Sequence, residues 1–373
     1  MTSVAFHVDQ LFYTAPGGIG TYIRELVPAL LNADPGLKVT LFHSDFPVSP
    51  SLGPEMTVLP VKRLPQSIRR LYPSWNLFGR PTLPPPLQRL DVVHAPSPAA
   101  IPPASPGQRL VVTVHDLAFR VYPSLFPAAW RVLFRLGTRM AVRRADAIIT
   151  VSQSTANDLV RYSRAEPSRI HVVPLAASLP PAEVEPAEAL ERMKIAQPYV
   201  LFVGTLEPRK NLVRLVRAYR RAVGRTRIPH RLVLAGPLGW RPRPLLRELA
   251  VEGPGEVVLT GKRSADELDA LYRGAAAFAY PSLYEGFGLP VLEAMARGIP
   301  CIVSNTSSLP EVAGDAALAV APRSVSELAG AIERVLTDEA EAARLSAAAH
   351  ARAEQFSWAH TARMTLKVYE SLG

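Results

Sequence analysis

The sequence predicts an α/β protein made of two doubly wound halves, each a parallel sheet covered by helices. Three observations carry this expectation. Short apolar runs alternate with helical patterns along the whole chain. The proline-rich stretch 172–186 (VVPLAASLPPAEVEP) divides that alternation near its middle, and 373 residues is about two domains of chain.

Taken in order, residues 4–8 read as a strand and residues 21–32 as a helix with apolar residues at helical spacing. Residues 39–43, 92–94 and 110–115 read as further strands, 127–143 as a helix and 147–151 as a strand. Hydroxyl residues at 152–155 then open a helix over 156–162. The second half repeats this more cleanly, with strands at 199–203, 231–235, 257–259, 277–280 and 301–304. Helices at 211–223, 244–251, 266–274, from Pro290 and at 325–336 alternate with them. Strands separated by helices mean βαβ units, whose ligands lie at the C-terminal strand ends. The expected site is therefore a cleft between the halves.

Composition removes several classes. A hydrophobic content of 48% excludes a disordered chain, and the single Cys301 excludes a disulfide framework or a cysteine-based zinc site. No apolar run nears the ~20 residues of a spanning helix. Asp9 interrupts the opening MTSVAFHVDQ, so it does not read as a secretory leader. We expect a cytoplasmic protein in a reducing compartment. The net charge of +10 is concentrated in residues 1–180, which hold 18 Lys/Arg against 10 Asp/Glu. Such a half suits a polyanionic or membrane-surface partner, with plain solubility as the bland alternative.

Four segments can carry chemistry. Ser282-Leu-Tyr-Glu285-Gly286-Phe287-Gly288-Leu289-Pro290-Val-Leu-Glu293 follows an apolar strand and opens a helix at Pro290. Its glycines allow close backbone approach to a ligand at a helix N-terminus. Glu293, placed in the first helical turn, can accept hydrogen bonds from a vicinal diol; a turn plus a helix-dipole role is the alternative. Gly204-Thr-Leu-Glu-Pro-Arg209-Lys210-Asn211 sets two cations at a strand end, where they can neutralise a diphosphate. Gly17-Gly18-Ile-Gly20 follows the first strand, with a spacing unlike the dinucleotide fingerprint. Val112-Thr-Val-His115-Asp116 ends a strand in a histidine, which can bond a sugar hydroxyl or stay structural, while Asp116 can cap the next segment. The sequence holds no Asp-x-Asp pair, no His/Asp cluster at metal spacing, no phosphate-binding G-x-x-x-x-G-K-[ST] and no G-x-S-x-G elbow.

PGGIG at 16–20, VHDLAF at 114–119, GTLEPRKN at 204–211 and EGFGLPVLEAMA at 285–296 resemble the family 4 (group 1) glycosyltransferases of the GT-B fold, over essentially the whole chain. The resemblance implies two Rossmann-like domains facing across a cleft. Residues 1–182 would bind the acceptor and 183–355 the nucleotide sugar, and the closing FSWAHTARMTLKVYESL implies a C-terminal helix, 356–373, that crosses back to the first domain. By the same resemblance Glu285 lies by the donor sugar's hydroxyls, Glu293 holds the nucleotide ribose, and Arg209 and Lys210 bind the diphosphate. Backbone N–H groups of Gly286, Phe287, Gly288 and Leu289 hold sugar hydroxyls and phosphate, Gly17 and Gly18 close over the diphosphate, and His115 lies near the sugar. Many members carry arginine where this chain has Thr205, so that cation is either missing or supplied by Arg209.

The resemblance implies retaining transfer of a hexose without a metal or other cofactor. The GTLEPRKN form leans towards mannose from GDP-mannose, with a glycan or polyprenyl-linked acceptor. Peripheral association with the inner face of a membrane would follow. Arg63, Arg69, Arg70 and Arg80, interleaved with Leu71, Tyr72, Trp75 and Phe78, are the expected membrane- or acceptor-facing stretch. The competing expectations are a nucleotide-sugar 2-epimerase and a nucleic-acid-binding module. The second is disfavoured by only 7% aromatic residues and scattered basicity.

Overall fold

The computed structural model describes residues 2–13, 17–47, 52–178 and 185–373. It divides into two units, one of Met1–Leu175 with Ser357–Gly373 and one of Ala176–Phe356. The division falls after Leu175 rather than after residue 182.

The first unit is a seven-stranded sheet of β1 (Ser3–His7), β2 (Lys38–His43), β3 (Val61–Arg63), β4 (Val92–Ala95), β5 (Arg109–Val114), β6 (Ala147–Thr150) and β7 (Ile170–Val172). All pairs are parallel in the order β3-β2-β1-β4-β5-β6-β7. The order reverses at β1, whose Val4 and Phe6 pair with Val92 and His94 of β4. That reversal is the switch point at which doubly wound sheets bind ligands.

The helix Gly17–Ala33 packs on the C-terminal helix Trp358–Glu370 within this unit. The second helix is held there by Thr361 Oγ1 donating to Pro174 O (2.7 Å) and by a 2.6 Å bond between Tyr369 OH and His94 Nδ1.

The second unit is a six-stranded parallel sheet of β8 (Tyr199–Val203), β9 (Arg231–Ala235), β10 (Val257–Gly261), β11 (Ala277–Tyr280), β12 (Cys301–Ser304) and β13 (Ala317–Val320). Its order is β10-β9-β8-β11-β12-β13, so its switch point lies between β8 and β11. The central strands β8, β11 and β12 are buried throughout, as strands covered on both faces must be.

Several elements differ from the sequence expectation. Strands β3, β7 and β13 were not anticipated: each is a sheet edge, and β3 is wholly exposed, so it has no apolar run to read. The first helix starts at Gly17 rather than at 21, which places Gly17 and Gly18 in its first turn instead of in a preceding loop. Gly17 has φ +59°, a left-handed backbone angle that glycine adopts without strain. Pro16 lies outside the described residues. The Arg-rich stretch contains a helix, Ile68–Phe78, that runs through Pro73. Leu71 and Trp75 point into the core, and Trp75 Nε1 donates to Pro81 O (2.9 Å), so they are not part of any outward-facing surface. Only Leu77 and Phe78 of that helix are large exposed hydrophobics, at 57% and 75%.

Candidate active site

The two strongest sequence motifs leave the C-terminal ends of neighbouring strands, β8 and β11, on the two sides of the second switch point. The β8 turn is tight because two glycines allow it. Gly204 and Gly236 both have φ +146°, and a Cβ on Gly236 would sit 2.1 Å from Gly204 O. The chain then passes through a single 3₁₀ turn, Pro208–Lys210, and Asn211 at φ +62° starts the helix Leu212–Thr226.

This turn brings four charges together. Glu285 receives Lys210 Nζ on one oxygen (2.7 Å) and Arg209 on the other (2.7 Å). Arg209 also bonds Glu207 Oε1 (2.8 Å) and donates to Tyr284 O, and Lys210 Nζ donates to Tyr280 OH (2.5 Å). Glu207, Lys210 and Glu285 are each about 6–7% exposed. Burial alone would raise the Glu285 carboxyl, but Arg209 and Lys210 outweigh it and hold it down at about 2. Burial, aided by Arg209, lowers the Lys210 ammonium, and burial raises Glu207.

Two cations and two carboxylates sum to zero. Any anion placed here would therefore meet cations already engaged, and would gain their full charge only if a carboxylate turned to another partner. Glu207 and Tyr280, both absent from the candidate residues drawn from the sequence, complete this cluster. Glu207 stands two residues before Arg209 in the motif itself, and that spacing was the available signal.

The β11 loop is fixed from beneath by hydroxyl side chains. Ser307 Oγ accepts from Glu285 N (2.9 Å), and Ser308 Oγ donates to Glu285 O (3.0 Å) and Phe287 O (2.8 Å). Asn211 Nδ2 ties the two motifs together by donating to Pro281 O (3.0 Å). Gly286, Phe287, Gly288 and Leu289 are all buried. Gly288 has φ +111°, and a Cβ there would lie 2.7 Å from Leu309 Cδ2, so glycine is required.

Glu293 departs from expectation: the helix is Leu289–Met295, and the acid sits beyond its first turn, which contains no acidic residue. A helix-dipole role is thus removed. Its carboxylate accepts instead from Tyr272 OH (2.8 Å), and burial raises its pKa. The neighbouring Arg297 is committed to the buried Asp269 (2.6 Å).

In the first unit, His115 follows β5. Its Nε2 lies 2.9 Å from Pro96 O, Tyr22 packs edge-on at 4.9 Å, and burial pushes its pKa down to about 4. It is neutral at pH 7 and supplies hydrogen bonds rather than charge. Asp116 Oδ1 accepts from Ala118 N (2.9 Å), which is the capping alternative.

At this unit's switch point a cavity of about 550 Å³ opens beside the ends of β1 and β4. Tyr13, Tyr72, Trp130 and Phe134 wall it, and His7 and Asp9 add its polar groups. Asp9 is 1% exposed, accepts from Ser44 N (2.6 Å) and Ser44 Oγ (2.5 Å), and lies 3.1 Å from His7 Nε2. Sequence reading did not single out this pair, because an acid after a strand looks like a solvated turn. Thus Arg209, Lys210 and Glu285 meet in one cluster, Glu293 is bonded to Tyr272, and Gly17, Gly18 and His115 belong to the first unit. Among the described residues no three His, Cys, Asp or Glu side chains are placed to hold a metal ion, and no helix is long and apolar enough to cross a membrane.

Two doubly wound units with a charged site at a strand switch point define an α/β enzyme of the GT-B class of transferases. Residues 189–352 match the model of the group 1 glycosyl transferases, and residues 16–179 that of glycosyltransferase family 4. The chain is 35% identical over 271 residues to the O-antigen chain mannosyltransferase B of Escherichia coli, covering 71% of each. It is 32% identical over 283 residues to an MMP alpha-(1->4)-mannosyltransferase of Mycolicibacterium hassiacum, covering 72% of this chain and 66% of that one. Among solved structures, sucrose-phosphate synthase from Thermosynechococcus elongatus superposes with a TM-score of 0.75 at 23% identity, covering 100% of this chain and 99% of that one. The chain belongs to the group 1, family 4 glycosyltransferases.

Proposed function

We propose that this glycosyltransferase moves mannose from GDP-mannose to a hydroxyl of a glycan or lipid-linked acceptor, with retention and without a metal ion. The observation that carries the reading is the Glu207–Arg209–Lys210–Glu285 cluster at the β8/β11 switch point. The names of the relatives supply the sugar, since both act as mannosyltransferases.

The donor's diphosphate lies against Arg209 and Lys210, and Glu285 exchanges a cation for hydroxyls of the sugar. That exchange leaves uncompensated positive charge of the protein facing the departing anion. As the anomeric C–O bond to the diphosphate breaks, fixed cations in a water-poor site stabilise the leaving nucleoside diphosphate. The acceptor oxygen bonds to the same face of the anomeric carbon, and its proton leaves with the diphosphate. Glu293, with Tyr272 donating to one oxygen, offers the other to the ribose diol.

The acceptor's sugar end occupies the cavity at the first switch point. Aromatic walls stack on the apolar face of a pyranose, and the Asp9–His7 pair bonds its hydroxyls. A buried carboxylate there repels a phosphorylated acceptor end.

The test is release of GDP and transfer of labelled mannose from GDP-mannose, with mannose-terminated oligosaccharides as acceptors and UDP- and ADP-sugars as comparison donors. Acceptor-dependent GDP release that survives chelators is expected. Free nucleotide with an epimerised sugar and no need for acceptor, or turnover lost to chelators, overturns the reading.

A further inference from the structure

The arginines of the first unit are not spread evenly. The helix Ala128–Arg144 places Arg135, Arg139 and Arg143 at successive four-residue steps, which puts them on one face. Arg120, from the helix Ala118–Val121, and Arg164, just after the helix Gln153–Ser163, line the same groove, of about 570 Å³. All five are exposed, and no carboxylate is among the lining residues. Arg135, Arg139, Arg143 and Arg164 have no side-chain hydrogen bond or ion pair among the described residues, and Arg120 reaches only Tyr162 O, at 3.5 Å. Like charges at four-residue spacing destabilise a helix, so the face carries a cost that no contact in this unit offsets.

A second observation concerns Thr138, which lines the groove one turn from Arg135 and is only 2% exposed. Its hydroxyl is buried and has no hydrogen-bond partner among the described residues. Buried hydroxyls are normally satisfied, and this one lines the groove beside the guanidinium groups with a hydrogen to donate to an oxygen acceptor.

We propose that this groove binds a diphosphate group. Guanidinium forks match phosphate oxygens in bidentate fashion, and cations converging from three elements on a concave site fit a compact dianion better than a flat membrane surface. The groove lies on the opposite flank of the helix from the aromatic cavity, since Trp130 and Phe134 face one and Arg135 and Arg139 the other. It shares no lining residue with the Arg209–Lys210 cluster, which belongs to the other unit.

The test is calorimetric titration of the full chain with inorganic pyrophosphate in excess GDP, which occupies the donor site. It compares wild type with Arg135→Glu/Arg139→Glu/Arg143→Glu and with Arg70→Glu/Arg80→Glu/Arg89→Glu, a change of equal charge elsewhere on the unit. The groove variant should bind at least about tenfold more weakly, and the control within about twofold of wild type. If charge reversal prevents folding, the triple glutamine variant replaces it with the same expectation. Equal losses in both variants would mean net charge alone, and would overturn the site. Absence of binding by wild type would do the same. So would groove-dependent retention on phosphatidylglycerol vesicles that pyrophosphate does not compete away, since the face would then be a lipid surface.

Discussion

Replacing Glu285 by glutamine tests the central cluster, because the shape is kept while one charge is removed. The structure sets the magnitude. Folding takes this carboxyl from its ordinary 4.5 down to about 2, against the cost of burial. A shift of about 2.5 units is worth about 3 kcal/mol at neutral pH. Removing one partner from a buried ion pair independently costs about 3–5 kcal/mol, so the two routes agree. For a unit of this size the melting temperature should fall by about 6–12 °C.

The sign with pH follows from a depressed acid. Its contribution is complete above 4.5 and is lost as pH falls through about 2, so the wild-type advantage should shrink to about 2 kcal/mol at pH ~3.5. Thermal and urea melts of both proteins across this range measure it. The variant should also bind GDP more tightly, since Arg209 and Lys210 lose a competing anion, while transfer slows. A melting temperature within about 2 °C of wild type, or a gap that widens in acid, would refute the coupling described for these four side chains.

Other perturbations reach separate parts of the molecule. Lys210→Ala should cut mannosyl transfer by about two orders of magnitude or more while circular dichroism stays native, as expected for loss of a cation at a leaving phosphate. Glu293→Ala should raise the dissociation constant of GDP about tenfold without removing the cluster at Glu285, which calorimetry can follow. In the first unit, a Cβ on Gly137 would lie 1.7 Å from Pro98 O, so Gly137→Ala must displace backbone and should destabilise by about 2 kcal/mol or more in denaturant melts. Burial holds His115 at about 4 and His94 at about 3, so both lose ground when protonated; this unit should weaken as pH falls below about 6.5, and His115→Asn should flatten that dependence.

The legible parts of this protein were those where burial and sequence pattern coincide. β8, β9, β11 and β12 have the bounds expected from their apolar runs, because strands covered on both faces need side chains that read as continuous hydrophobics. The family motifs were legible for a different reason: their glycines and cations sit where the backbone must turn at a strand end. Of the edge strands only β10 was, since β3 has no buried residue and takes its place from pairing with β2 alone. Pro73 hid the helix Ile68–Phe78 and left Trp75 looking like a surface aromatic. Asp9 and Glu207 were overlooked because a charge is assumed to be solvated, and only the fold shows which ones are enclosed. The arginine face was within reach: 131, 135, 139 and 143 are evenly spaced on a helix that the sequence itself predicts.

The chain visits the first unit twice, and the second visit supplies the helix Trp358–Glu370, with Tyr369 bonded to the enclosed imidazole of His94. The first unit is therefore finished by a segment that follows the whole second unit in sequence. Until that helix docks, the groove that receives it stays open to water and His94 lacks a bond. Any variant that stalls the docking of this one segment would leave the second sheet complete and the first unfinished, a failure that would look like loss of the early half although its cause lies at the opposite terminus.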